Sequence, residues 1–147
     1  AVKSPWMRGF GIIELVATLC VAFILAGMAM INARALYHPS RGGAEELASF
    51  LKAARAKALA TTSTYTIVPI SETEVMTTVS TSCSSVEQVE DPEMRLTLSG
   101  GASIANLEWQ ICYNSRGTSN SSAVIDVSDD YGTRQIQVVL GGGVRIL

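Results

Sequence analysis

The stretch RGFGIIELVATLC, residues Arg8 to Cys20, places one carboxylate inside an apolar segment. From Phe10 to Ile31 the chain reads FGIIELVATLCVAFILAGMAMI, and Glu14 is its only charged residue. These twenty-two residues are enough to cross a bilayer as a helix. An ionised carboxylate within such a helix costs about 2.5–3.5 kcal/mol. We therefore expect Glu14 to have a role that offsets this cost.

The apolar segment is predicted to be a membrane helix rather than a buried core helix. Leu, Ile, Val, Phe and Met occur on all sides of it, whereas a core helix has one apolar stripe. Lys3 and Arg8 precede the segment, as in an export signal, but LAGMAMINARA beyond it offers only weak sites for signal peptidase. The flanking charges do not determine the orientation, because Arg34 and Arg41 lie on the far side.

The chain of 147 residues divides into four zones by composition. They are a basic leader (1–9), the apolar helix (10–37), an amphipathic second half of the helix (38–60) and a β-rich head (61–147). The stretch HPSRGG marks a break between the two helical zones, since Pro39 disfavours helix at the residue before it. After the break, AEELASFLKAARAKALA has apolar residues at helical spacing: Leu47, Leu51, Ala54 and Ala58.

The head is rich in Thr, Ser, Val and Ile, in short alternating runs separated by polar turns. This pattern predicts α+β architecture: a long N-terminal helix, hydrophobic in its first half, with one antiparallel sheet domain packed on its second half. The predicted strands are TYTIVPI (64–70), EVMTTVS (74–80), MRLTLS (94–99), LEWQICY (107–113), AVIDV (123–127), RQIQVVL (134–140) and VRIL (144–147).

Charge divides along the same boundary. Residues 58–147 contain four basic and ten acidic residues, a net charge of −6, whereas residues 34–57 contain five basic and two acidic residues. The head is therefore predicted to be acidic and the helix below it mildly basic.

The chain has three cysteines. Cys20 lies in the apolar segment and is interpreted as a small packing residue. Cys83 and Cys112 lie in the head, either as two buried thiols or as a disulfide, which would require an oxidising compartment. A bridge over this loop would stabilise the fold by roughly 3–4 kcal/mol.

Neither catalysis nor metal binding is predicted, and no cofactor is expected. The only histidine, His38, lies at the helix break, and no phosphate-binding loop is present. In DVSDDYG, the residues Asp126, Ser128 and Asp130 alternate as in a calcium loop, but Tyr131 replaces the required Gly and Gln137 replaces the final Glu. A turn between strands is the favoured interpretation.

The segment RGFGIIELVATLCVAFILAG resembles the N-terminus of type IV prepilins and type II secretion pseudopilins. That family has a basic leader ending in Gly, a cut before Phe, Glu at the fifth position of the mature chain and a long apolar helix. Gly9, Phe10 and Glu14 match it in type and spacing. ELASFLKAARAKALATTSTYTI, ICYNSRGTS and IQVVLGGGVRIL further resemble the GspH/FimT class of minor pilins.

This resemblance implies that prepilin peptidase cuts after Gly9, that Phe10 is N-methylated, and that the helices bundle in a filament core. The expected location is the bacterial inner membrane, crossed once with the head in the periplasm, and afterwards a periplasmic pseudopilus or an extracellular pilus. The expected partners are other pilin or pseudopilin subunits, with a secreted substrate or DNA as further candidates.

The cut also gives Glu14 a partner. The new amine on Phe10 would be cationic, in the same chain or in a neighbouring subunit, and pairing would partly offset the burial of both charges. We expect this pair to set the register between subunits, so that Glu14→Ala inserts into the membrane but is not incorporated into filaments.

Three alternatives remain open from the sequence. Some FimT-type pilins bind DNA through C-terminal arginines, and Arg134 and Arg145 lie in the matching region, although two arginines on an acidic head form a weak electrostatic footprint. The chain could be a major or a minor subunit, of either machine. It could also be a single-pass anchored binding protein that is never cut at Gly9.

Overall fold

The structure, a computed structural model, describes residues 11–35 and 38–147, and the side chains of all of these except residues 28–35. It divides into two compact units, one before His38 and one from His38 to Leu147. Gly9 and Phe10, and with them the predicted cleavage and methylation site, lie outside the described residues, as do the rest of the predicted leader and residues 36–37.

The first unit contains helix α1, Ile12–Ala35. Its large apolar side chains are exposed within one chain, from Ile12 at 87% to Phe23 at 73%. In the parts of the helices for which side chains are described, no stretch is both long enough and apolar enough to cross a membrane.

The second unit begins with helix α2, Pro39–Thr61. His38 before it is extended, as the Pro39 rule predicts. The helix begins five residues before the predicted start at Ala44, because Pro39 at the first helical position is already in helical φ. Glycine is required at Gly43 because the helix backbone there packs directly against Ala102. A Cβ on Gly43 would lie 2.5 Å from the Cβ of Ala102, which is too close.

Eight strands follow α2. They are β1 (Thr64–Pro69), β2 (Glu74–Ser80), β3 (Val89–Thr97), β4 (Ser103–Ile104), β5 (Ile111–Tyr113), β6 (Ala123–Asp129), β7 (Gly132–Val138) and β8 (Val144–Ile146). All seven predicted strands are present, and the short β4 is an addition. The predicted strand over 107–113 is reduced to β5, because the Glu108 N–H bonds the Asn106 Oδ1 in a turn instead of joining a ladder.

The strands form two antiparallel sheets rather than the single sheet predicted. Their orders are β3-β2-β1-β5 and β4-β6-β7-β8. The chain first passes from one sheet to the other at Gly100 and Gly101, both at positive φ, which glycine adopts without strain. It returns to the first sheet at β5 and re-enters the second at β6. The α+β class is confirmed, and the number of sheets is corrected.

The core lies between α2 and both sheets. The predicted stripe of Leu47, Leu51, Ala54 and Ala58 is fully buried. It packs with Tyr65, Ile67, Ile111 and Tyr113 of the first sheet and with Ile125, Val127, Ile136 and Val138 of the second. Alternate strand residues therefore face the helix, as strand geometry requires.

Candidate functional site

Glu14 caps the helix in which it lies. Gly11 precedes the first residue of α1, and its N–H donates a hydrogen bond to the Glu14 Oε2 at 3.2 Å. This is the reach-back contact of a capping box, in which the third helical residue binds the capping N–H. The carboxylate is thereby directed to the positive end of the helix dipole, where negative charge is favourable.

The surface of α1 around Glu14 is apolar and uncovered in a single chain. Ile13, Leu15, Val16 and Leu19 are between 49% and 82% exposed. Cys20 is a free thiol that is exposed in the single chain, and its predicted packing role stays a prediction. A continuous apolar surface of this kind indicates contact with lipid or with other helices.

The start of α2 is capped by a residue distant in the chain. The Ser40 N–H donates to the Asp129 Oδ2 at 2.7 Å, while Tyr131 N–H and Gly132 N–H donate to the Oδ1. The hydrogen bond from Ser40 is the main cause that lowers the pKa of Asp129 to about 2. Asp129 thus joins the β6–β7 turn to the first turn of α2. Sequence reasoning identified SDDYG as a turn but missed this contact.

Arg55 of α2 holds two turns together. Its Nε donates to the Gly117 carbonyl at 2.8 Å and its Nη2 to the Gly141 carbonyl at 3.2 Å. Gly142, at φ +77°, lies so close to the Gly117 carbonyl that no Cβ fits between them. This junction fixes the turns after β5 and β7 on the helix.

Lys57 fastens the edge strand β3 to the same helix. Its Nζ lies 2.7 Å from the Asp91 Oδ2 and 3.4 Å from the Glu93 Oε2. The hydrogen bond between Lys57 and Asp91 raises the pKa of Lys57 and lowers the pKa of Asp91. Tyr113, buried nearby in the core, has its pKa raised to about 12 by burial.

A disulfide attaches the loop between β2 and β3, residues 81–88, to the first sheet; we call this loop the strap. Cys83, in the β2–β3 loop, is bonded to Cys112 of β5, with a Cα–Cα distance of 5.8 Å. Thr66 pairs with both Thr78 and Cys112, so these three residues share the face that points away from α2. All three are buried, and the Thr78 hydroxyl donates to the Gln88 Oε1 of the same loop at 2.8 Å. The strap therefore covers the outer face of this sheet.

Arg134 and Arg145 lie on opposite faces of the second sheet. Arg145 pairs with Gln137, whereas Arg134 lies two residues before the core residue Ile136. Because strand residues alternate between faces, Arg145 points away from α2 and Arg134 lies on the helix side. The structure therefore does not bring the two arginines into one patch. The Arg145 Nε donates to the Gln137 Oε1 at 2.7 Å.

The remaining candidates have structural contacts. The His38 ring lies edge-on to the Tyr131 ring, with centroids 6.2 Å apart. Asp126 accepts a hydrogen bond from Gln135 at 2.9 Å. Among the described residues, no group of three or more His, Cys, Asp or Glu side chains is placed to hold a metal ion.

An apolar helix, followed in the chain by a second helix that packs on two antiparallel sheets, is a pilin-like fold. Among known structures, the fold is similar to the type IV minor pilin FimU of Pseudomonas aeruginosa, with a TM-score of 0.57 and 14% identity over 74% of this chain and 87% of that one. It is also similar to the minor pseudopilin EpsH of the Vibrio cholerae type 2 secretion system, with a TM-score of 0.57 and 12% identity over 75% and 97% of the two chains.

The family follows from the sequence of the second unit. Residues 43–143 match the family of the type II transport protein GspH, and the chain belongs to this family. None of the curated proteins matches the sequence. Membership of the GspH family confirms the predicted resemblance to type IV pilins and pseudopilins.

Proposed function

We propose that this protein is a minor subunit of a type II secretion pseudopilus or a type IV pilus, assembled through α1. The observation that carries the proposal is Glu14, a carboxylate directed to the start of a helix whose apolar sides are uncovered. A helix of this kind gains stability by bundling with similar helices, because its apolar surface would then contact other helices instead of water or lipid.

Processing would complete the site around Glu14. Prepilin peptidase would cut after Gly9, and Phe10 would become the N-methylated first residue. Its cationic amine would then lie close to the Glu14 carboxylate of its own chain or of a neighbour. A buried ion pair of this kind is best attested as a device for register, because a shifted subunit would leave each charge unpaired.

Before assembly, the protein would be held in the bacterial inner membrane by residues 10–31, with its head in the periplasm. The Cys83–Cys112 disulfide supports this placement, because disulfides persist in oxidising compartments. After assembly, the same helix would lie in the core of a periplasmic pseudopilus or an extracellular pilus.

Membership of the GspH family supports a minor position at or near the filament tip. The partners would be other pilin-like subunits, with a secreted substrate at the exposed head. The proposed role is structural and requires no enzymatic activity. Copy number in sheared filaments tests the minor role: a few copies per filament support it, and a ratio near that of the bulk subunit contradicts it.

The decisive experiment is mass spectrometry of the N-terminus of the full chain, isolated from cells that contain the assembly machinery. A mature chain beginning at methylated Phe10 is expected. An intact leader would contradict the proposal and favour a single-pass anchored binding protein. Omission of the peptidase is the matched control, and it should return the uncut chain.

DNA binding through Arg134 and Arg145 was the alternative function from the sequence. No contact among the described residues favours it, since the two side chains lie on opposite faces of the sheet.

A further inference from the structure

The two sheets present four edge strands, β3, β5, β4 and β8. An uncovered edge strand displays unpaired N–H and C=O groups that can pair with another chain, and natural proteins block such edges. Among the residues that the structure describes, three of these edges are blocked and one is open.

Each blocked edge is closed in a different way. At β4, the outward N–H of Ile104 donates to the Glu72 carbonyl at 2.7 Å. At β5, Asn120 bonds both the N–H and the C=O of Cys112, each at 3.0 Å. The third edge, β3, contains Pro92 and three acidic side chains, which prevent a further ladder: Glu90, Asp91 and Glu93.

The edge of β8 has none of these protections. Leu147 N–H donates to Gln135, and Val139 N–H donates to Gly143, which fixes the phase of the β7–β8 ladder. In an antiparallel ladder, bonded and non-bonded pairs alternate, so the N–H and C=O groups of Val144 and Ile146 point away from β7. Within residues 11–35 and 38–147, these groups form no hydrogen bond.

The surroundings of this edge suit an apolar strand with an acidic residue. Ile146 and Leu147 are 42% and 53% exposed and line an open cleft with Arg41, Glu45 and Arg134. Glu45 is already paired with Arg41 at 3.2 Å. The guanidinium of Arg145 is held by one bond to Gln137, and among the described residues it has no acidic partner.

A second copy of this chain is disfavoured at the edge. Two β8 strands paired antiparallel about Arg145 would place the two guanidinium groups opposite each other, and like charges at such positions are destabilising. The other three edges of a copy are closed.

We infer that the edge of β8 accepts one extended segment from a different pilin-like subunit, paired with Val144 and Ile146, with an acidic side chain beside Arg145. The inference rests on the proposed function. With one open edge among the four in the described residues, the chain would receive a strand from one neighbour and would not propagate a continuous sheet.

Two substitutions separate backbone pairing from side-chain contact. Ile146→Pro removes an N–H that the β7 ladder does not use, so it blocks the edge and leaves that ladder intact. Ile146→Ala removes more of the side chain than Ile146→Pro does but keeps the N–H, so a lower yield for the proline variant cannot come from lost side-chain contact. Loss of one backbone hydrogen bond should weaken the contact by roughly fivefold to tenfold.

The test uses the full chain in its native cells, with a photo-reactive p-benzoylphenylalanine in place of Leu147. After irradiation of isolated filaments, an adduct with one other pilin-like subunit is expected, and peptide mapping should locate it in an extended segment containing an acidic residue. Ile146→Pro should lower the adduct yield by roughly fivefold to tenfold relative to Ile146→Ala. Arg145→Glu should lower it, while Arg145→Lys should retain it.

An adduct with a second copy only, no adduct in intact filaments, or equal yields for Ile146→Pro and Ile146→Ala would overturn the inference. The N-terminal mass is measured on the same sample. Methylated Phe10 without the adduct would overturn the edge contact alone, whereas an intact leader would overturn the proposed function and the edge contact together.

Discussion

The Asp129 Oδ2 lies 2.7 Å from the Ser40 nitrogen, although the two residues are 89 positions apart in the chain. Side-chain caps usually come from the residue directly before a helix. Here that residue is His38, which makes no capping hydrogen bond, and the β6–β7 turn supplies the carboxylate instead. The start of α2 and this turn therefore depend on each other.

Loss of this cap should destabilise the second unit in a pH-dependent way. The folded pKa of Asp129, about 2, lies below its ordinary value of 3.8, so its contribution is fully present above 3.8 and is lost as pH falls toward 2. Asp129→Ala should lower the melting temperature at neutral pH, and the difference from the unaltered chain should shrink below pH 3.8. Thermal unfolding of the full chain in detergent micelles measures this. Asp130→Ala is the matched control, and an equal effect there would contradict the capping role.

Removal of the disulfide should free the strap over the first sheet. Cys83→Ser is expected to lower the free energy of unfolding by about 3–4 kcal/mol, because the unfolded chain gains the freedom of the open loop. Denaturant unfolding checks this, and amide exchange should rise in residues 81–88. Cys20→Ser serves as the control, since Cys20 is a free thiol in the other unit. Unchanged stability of Cys83→Ser would show that the bridge does not form.

Two neighbouring glycines give a sharp test of the Arg55 junction. Gly142→Ala should cost at least about 2 kcal/mol, because it combines positive φ with a Cβ that has no space beside the Gly117 carbonyl. In contrast, a Cβ at Gly141 meets no atom within 4 Å, so Gly141→Ala should be close to neutral. Chemical denaturation measures the free energy of unfolding of both variants. Similar decreases for Gly142→Ala and Gly141→Ala would mean that the close contact at the Arg55 junction does not cause the destabilisation.

Substitutions at Glu14 can separate its charge from its cap. Glu14→Gln keeps an oxygen that can accept the Gly11 N–H but removes the charge, whereas Glu14→Ala removes both. If the charge sets register with the Phe10 amine, both variants should enter filaments more than about a hundredfold less than the unaltered chain. Both variants should still fractionate with membranes, and Glu14→Asp should be incorporated into filaments at a reduced level. Normal incorporation of Glu14→Gln would leave only the capping role.

The separation of Arg134 from Arg145 predicts weak DNA binding. In a gel-shift assay with the full chain in micelles, any binding at low salt should disappear at moderate salt, because few phosphates can be neutralised together. Arg145→Ala alone should change the affinity little. Binding that survives moderate salt and is lost in Arg145→Ala would revive the DNA-uptake function.

Local patterns predicted α2 and seven of the eight strands of the second unit. Leu47, Leu51, Ala54 and Ala58 form the buried stripe that their spacing predicts, because helical period alone determines which side chains share a face. The strand prediction is wrong for Leu107–Gln110, although this segment has an alternating pattern. The turn at Asn106 and the lack of a neighbouring strand keep it out of both sheets. Pairing partners are not encoded in a single strand.

The site divides in the same way. Gly9, Phe10 and Glu14 were selected through the resemblance to prepilins, which rests on residue types at fixed short spacing. The role of Gly9 and Phe10 stays a prediction, because both lie outside the described residues. The Asp129–Ser40 cap, the Arg55 junction and the open edge of β8 depend on contacts between residues 62 to 89 positions apart or on the order of strands. By itself the sequence determined the apolar helix, its carboxylate and the α+β class, since these follow from composition and period. Only the tertiary structure decided which turns meet α2, which face each arginine occupies and which sheet edge stays open, because those depend on how the packed elements satisfy one another's backbone groups.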